Sequence, residues 1–234
     1  LYAVAALVLG WDGIRAQLAG YPPAYLLPLA GLTFLNYGLR YGRWALFLGH
    51  LDVRIPIAQS LKLYFSTYVM VITPGKIGEV FKAGILRERF DTPLTKGIPA
   101  VLAERVYDFL AVFILAVIGV FFWPGELTGM TTGLVLSAGV PVILLLLRHP
   151  GIRRRMVDRV SSARLLARHR VGVDDSLDAL GKLLDGRVSL LSLVLSVVAW
   201  FAECLGMWLV CRGLGFAVSP LEAMFVYAAG TLVG

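Results

Sequence analysis

Residues 97–122 read GIPAVLAERVYDFLAVFILAVIGVFF. As a helix the run is about 39 Å long at ~1.5 Å per residue, enough to cross a hydrocarbon core of about 30 Å. Its second half, 109–122, carries no charge, while Glu104, Arg105 and Asp108 fall within five residues of one another in the first half. A charge at membrane depth costs about 2.5–3.5 kcal/mol on insertion scales. Three so close together therefore need partners inside the protein rather than lipid. Glu104 and Asp108 are four apart and share a helix face, and Arg105 and Asp108 are three apart and within pairing distance. The stretch is read as a membrane helix with one polar, inward-facing side.

The rest of the chain agrees. Of its 234 residues, 58% are hydrophobic and 16% charged, and its mean hydropathy is +0.78. Soluble domains average about 45–50% apolar and about 25% charged residues. Disorder, collagen and a disulfide scaffold are excluded on the same grounds. Cys204 and Cys211 lie seven apart in one apolar run, about 10 Å along a helix, too far to bridge each other. With His50, His149 and His169 as the only histidines, no metal site is expected, and no Walker A, Gly-x-Ser-x-Gly or zinc spacing points to a catalytic site or a cofactor. The chain is expected not to be an enzyme.

Apolar runs place spans at 1–10, 24–40, 97–122, 129–147, 188–212 and 219–234, with a further run at 57–73. The expected fold class is all-α: one transmembrane domain over 1–234, a polytopic helix bundle. The first and last runs are short or cut, so the sequence is expected to be a piece lacking residues at both ends. Net charge is +7, and eighteen of the twenty-two Lys and Arg lie in segments 40–56, 74–96 and 148–187. The positive-inside rule puts these in the cytoplasm, giving a multi-pass protein of the cell membrane rather than a nucleic-acid binder. Segment 148–187 has leucines and valines at helical spacing and reads as amphipathic, a basic face attracted to anionic lipid.

If residues 56 and 97 share one side, 57–90 must enter and leave by the same face. The arm 77–90 holds five charges and rises only about 21 Å. A re-entrant helical hairpin follows, with Pro74-Gly75 at its tip. Broken backbone at membrane depth is tolerated only against protein or a watery cavity. The other reading of the segment is a cytoplasmic loop with an amphipathic surface helix.

Three groups carry candidate chemistry. Past Gly75 the second arm offers free N–H groups beside Lys76, a setting that favours anions such as a lipid phosphate, and Glu79 sits in the first turn. Glu104, Arg105 and Asp108 form either a structural ion-pair cluster bracing the hairpin or the wall of a polar cavity. In the latter, Arg105 holds phosphate and the carboxylates balance it or take a cationic headgroup. Glu203, near the middle of 188–212, is a second polar site or a protonated carboxyl bonded to a neighbouring helix.

Three stretches carry a resemblance: Leu39-Arg40-Tyr41-Gly42-Arg43-Trp44, Thr73-Pro74-Gly75-Lys76-Ile77-Gly78-Glu79 and Glu104-Arg105-Val106-Tyr107-Asp108. From Asn36 to Ile118 the chain resembles the lysylphosphatidylglycerol synthase transmembrane, or flippase-like, family, which includes the membrane half of the bacterial multiple peptide resistance factor. The resemblance extends more loosely over the whole chain. It implies two related halves with a site between them, as in inverted-repeat transporters, and a second Pro-Gly-Gly hairpin beginning about where Gly234 stands. It implies a lipid translocase or lipid-binding transport protein for an anionic phospholipid, an aminoacylated phospholipid or a polyprenyl-phosphate-linked headgroup. Membrane lipid is then the partner. A glycosyltransferase or lipid-modifying enzyme, or a second copy of the chain, are further partners it admits. The alternative is a membrane module that assists such an enzyme without transporting.

The topology has a direct test. Single cysteines in place of Arg89 and Glu126 should be labelled by an impermeant maleimide from opposite sides of the membrane; labelling of both from one side overturns the hairpin.

Overall fold

The charge-bearing run folds as one helix, Leu94–Phe121, and most of the other helices are arranged around it. The computed structural model of the protein describes residues 15, 19–68, 80–123, 151 and 170–233. Within them the helices are α1 (Leu26–His50), α2 (Ile57–Tyr68), α3 (Val80–Phe90), α4 (Leu94–Phe121), α5 (Arg170–Leu183), α6 (Gly186–Gly213) and α7 (Pro220–Val233), with a short 3-10 turn at Pro23–Tyr25 before α1. The described residues contain no strand. The expected all-α class is what the structure has.

Proline and aspartate set several helix limits. Pro93 precedes α4 in an extended conformation, as a residue without an N–H can at a helix start. Asp91, just after α3, has a φ of 50°, a left-handed geometry that aspartate tolerates better than most residues. Between α5 and α6 the chain turns at Gly186, whose φ is 61°; the Asp185 carboxylate accepts its N–H at 3.0 Å. At α7, Ser219 and Glu222 bond each other's backbone N–H at 3.2 and 2.7 Å, a reciprocal capping box.

Helix α4 packs against α3, α5, α6 and α7, and α1 lies along α6. One apolar core joins α1, α2, α3, α4 and α5 around Trp44, Phe47, Tyr64, Leu86, Tyr107 and Leu183. A second joins α4, α6 and α7 around Leu115, Trp200, Cys204 and Met224. The Tyr107 hydroxyl donates to the Leu183 carbonyl at 2.8 Å, tying α5 to α4. Lys96 donates to the Leu51 carbonyl at 2.7 Å, tying the start of α4 to the end of α1. At Gly119 the α4 backbone meets α7 so closely that a Cβ there would stand 2.6 Å from the Phe225 Cβ.

Charge is buried alongside these apolar cores, and large apolar side chains are exposed. Arg43, Lys82, Glu104 and Asp108 are buried, while Leu27, Phe34, Phe121, Leu190 and Val194 are exposed. Buried charges with an apolar exterior suit a helix bundle in lipid. Among the described residues, α6 is the helix long and apolar enough to cross a bilayer on composition alone. In α1 and α4 the buried charges break up the apolar stretch.

Two sequence readings are corrected. The run 24–40 does not end at Arg40: α1 continues to His50, and Arg40 and Arg43 are buried in it. They are not loop residues, and they drop out of the positive-inside count for 40–56, where only Arg54 remains. Lys82, counted in 74–96, is likewise buried. The cause is the same in each case: a basic residue with an internal acid partner says nothing about which side of the membrane it lies on. Within the segment 57–90 read as a hairpin, the described residues form two helices, α2 and α3, which pack together; residues 69–79, including Pro74-Gly75, lie outside the described residues, as do the runs 1–10 and 129–147. Within 148–187, α5 buries Ala179, Leu180 and Leu183, the apolar side of an amphipathic helix.

The α4–α7 contact yields a test. Gly119→Leu should cost about 1–3 kcal/mol through overpacking, read as a lower midpoint of thermal unfolding in detergent. Gly31→Ala, with open space around it, should leave the midpoint unchanged or raise it.

Candidate functional site: a buried charge network

Along α1, Asn36, Arg40, Arg43 and Phe47 recur at helical spacing and are all buried. Along α6, Ser192, Ser196 and Ala199–Trp200 do the same. These two stripes face each other. The Asn36 side-chain amide donates to the Ala199 carbonyl at 2.8 Å, and Arg43 donates to the Ser196 hydroxyl, which donates in turn to the Ser192 carbonyl at 2.6 Å. Small residues on α6 leave room for the long guanidinium groups of α1.

Asp108 is the centre. One carboxylate oxygen accepts from Arg43 at 2.8 Å and from the Trp200 indole at 3.1 Å. The other accepts from Arg40 at 2.7 Å and from Arg105 at 3.0 Å. Four donors from three helices thus converge on one side chain. Arg40 also lies 5.2 Å from the centre of the Trp200 ring, within cation–π range.

Glu104, one turn earlier on α4, pairs with Lys82 of α3 at 2.8 Å. The Lys82 ammonium is 4.5 Å from the centres of both the Trp44 and Tyr64 rings. Two aromatic faces and a carboxylate replace the water that a buried ammonium would otherwise lose. Helix α3 is thereby fastened to α4.

Glu203, on α6, accepts from the Tyr227 hydroxyl of α7 at 2.6 Å and lies 3.6 Å from Arg40. It faces a cleft of about 310 Å³ between α1, α6 and α7. Contacts therefore run from Tyr227 through Glu203, Arg40 and Asp108 to Arg105.

Among the residues singled out from sequence, the structure brings Arg105, Asp108 and Glu203 into this network and sets Glu104 beside it, on Lys82. Gly75, Lys76 and Glu79 lie outside the described residues. Glu104 and Asp108 are each occupied by cations of the chain itself, so the sequence expectation that they take a cationic headgroup has no support here. Arg105 differs from its neighbours: its side chain is 31% exposed, against 10% for Arg40 and 1% for Arg43. Sequence reasoning missed Arg40, Arg43, Lys82, Asn36 and Trp200. The spacing of Asn36, Arg40 and Arg43 on one helical face was the available signal, hidden by ending the helix at residue 40.

Fold and site together define an all-helical membrane domain with an internal charge network. The family model described as the lysylphosphatidylglycerol synthase TM region matches residues 1–234. The chain belongs to that family, a membrane domain associated with lipid modification or transport. No curated protein and no solved structure matches it.

Removing one partner of a buried pair strands the other, at about 3–5 kcal/mol. Lys82→Met and Glu104→Leu should each lower the unfolding midpoint clearly, and the double variant should recover most of the loss. Arg43→Leu should be more damaging than Arg105→Leu, because Arg105 keeps access to solvent. Equal midpoints for all five proteins would contradict the burial of these pairs.

Proposed function

We propose that the domain binds the phosphate of an anionic lipid headgroup and moves that lipid between leaflets. The observation that supports this reading is the position of Arg105. It is held by Asp108 at 3.0 Å yet stays 31% exposed, while the network's other cations are closed in. A guanidinium on a side chain that is one-third exposed is placed to donate to a phosphate as well as to its own acid. Asp108 orients Arg105 and moderates its charge, so that binding is strong enough to capture and weak enough to release.

Lys76, Glu79 and the N–H groups after Gly75 enter the proposed site on the sequence pattern alone; they lie outside the described residues. Helix α3, fastened through Lys82 and Glu104, gives the hairpin a fixed base against α4. Aminoacylated phospholipid and polyprenyl-phosphate headgroups carry the same phosphate and fall within the proposed substrate class.

The test uses the full-length protein reconstituted into liposomes containing a fluorescent anionic lipid. A charge-assisted hydrogen bond contributes about 1.5–3 kcal/mol, so a Lys76→Ala/Arg105→Ala double variant should slow lipid movement roughly tenfold or more. A folded double variant that moves lipid at the wild-type rate overturns the reading. No movement by the wild type would favour the module that assists a lipid-modifying enzyme.

A further inference from the structure

Arg43 is enclosed on α1 and uses only one nitrogen. Its Nη1 donates to the Asp108 carboxylate at 2.8 Å and to the Ser196 hydroxyl. Nε and Nη2, which form another edge of the guanidinium, are buried and have no hydrogen-bond partner. Buried donors are rarely left so, and on a charged group the cost is greatest. Ser192, one turn from Ser196 on the buried stripe of α6, has a buried hydroxyl in the same state. So has the indole N–H of Trp44, next to Arg43 in the chain. The unpartnered buried acceptor Asn36 Oδ1 is seven residues away along α1, about 10 Å. Arg43 is also poorly neutralised. The one carboxylate it touches, Asp108, is shared with Arg40 and Arg105, and its other partner is a neutral hydroxyl.

We propose that the Nε–Nη2 edge of Arg43 and the Ser192 hydroxyl hold a small monovalent anion of the halide class, chloride in the cell, between α1 and α6. The ion is a fixed structural ligand and no part of the lipid-handling reading above. Three requirements select it. The ligand accepts hydrogen bonds, because the open groups are donors and a hydroxyl can turn its hydrogen outward. It is negative, because a buried guanidinium that shares its acid three ways needs further negative charge nearby. It is small, because Arg43, Trp44 and Ser192 are each 0% exposed; a lipid phosphate would have to bring its glycerol and chains into an enclosed position. Water meets the first requirement only. It carries no charge, and its own two hydrogens would need acceptors in turn.

The experiment titrates sodium chloride into the full-length protein in detergent, replacing sodium gluconate at constant ionic strength. It follows the midpoint of thermal unfolding and, by equilibrium dialysis, the binding of radioactive chloride. Wild type should show a saturable rise in midpoint, the same response to bromide, and about one chloride bound per chain. Ser192→Ala deletes one hydrogen bond to the ion and should raise the half-saturating concentration about tenfold. Arg54→Ala, which removes an exposed cation, should leave it unchanged. Equal midpoints in chloride and gluconate with no tracer bound overturn the proposal in favour of buried water. A chloride response that Ser192→Ala does not weaken overturns it by placing the ion elsewhere. Displacement of the tracer by phosphatidylglycerol added to the micelles overturns it in favour of a single site shared with lipid. Lipid movement in liposomes is a separate measurement, so the lipid-handling reading can fail while the chloride result stands.

Discussion

A single carboxylate holds this bundle in register. Asp108 accepts two donors on each oxygen, from α1, α4 and α6. In lipid there is little hydrophobic force to press helices together, so polar contacts of this kind decide which faces meet. Because Arg40 and Arg43 are three residues apart on α1, both reach Asp108 only when α1 presents one face. Trp200 fixes α6 in the same way. The small-residue stripe of α6 and the close approach of α1 follow from that geometry.

The network also explains why the exterior can be so apolar. Arg40, Arg43, Glu104 and Asp108 of the central helices are turned inward and have partners there, which leaves leucine, valine and phenylalanine for much of the outside. Lys82 is the extreme case. Carried on a helix that is polar overall, it is enclosed by Trp44, Tyr64 and Glu104. The remaining charges near it on α3, Arg87, Glu88 and Arg89, stay exposed. One arm of the expected hairpin is thus divided between an inward anchor and a wet end.

Much of this was legible in the sequence. Helical class, the helices at 97–122, 188–212 and 219–234, and the pairing of Arg105 with Asp108 follow from hydropathy and three- and four-residue spacing. What was not legible was partnership across helices. No local rule says that Arg40, Arg43 and Lys82 answer acids at 104 and 108. Counting basic residues by segment treated them as markers of a membrane side, when tertiary contacts had already claimed them. Lys82 and Arg89 lie seven residues apart on one helix and meet opposite fates, because only Lys82 faces Glu104.

The meeting of Gly119 with Phe225 has a mechanical consequence. Only backbone stands on the α4 side of this contact, against the Cα, Cβ and ring of Phe225, so it acts as a fulcrum: it resists compression but offers little against rotation. Two residues along α7 from Phe225 stands Tyr227, whose hydroxyl is bonded to Glu203 at 2.6 Å. If α7 rocks about Phe225, the lever arm to Tyr227 is short, and a small tilt is sufficient to part the two side chains. The hinge and the latch of the cleft would then be neighbours on one helix, with α4 as the stationary post.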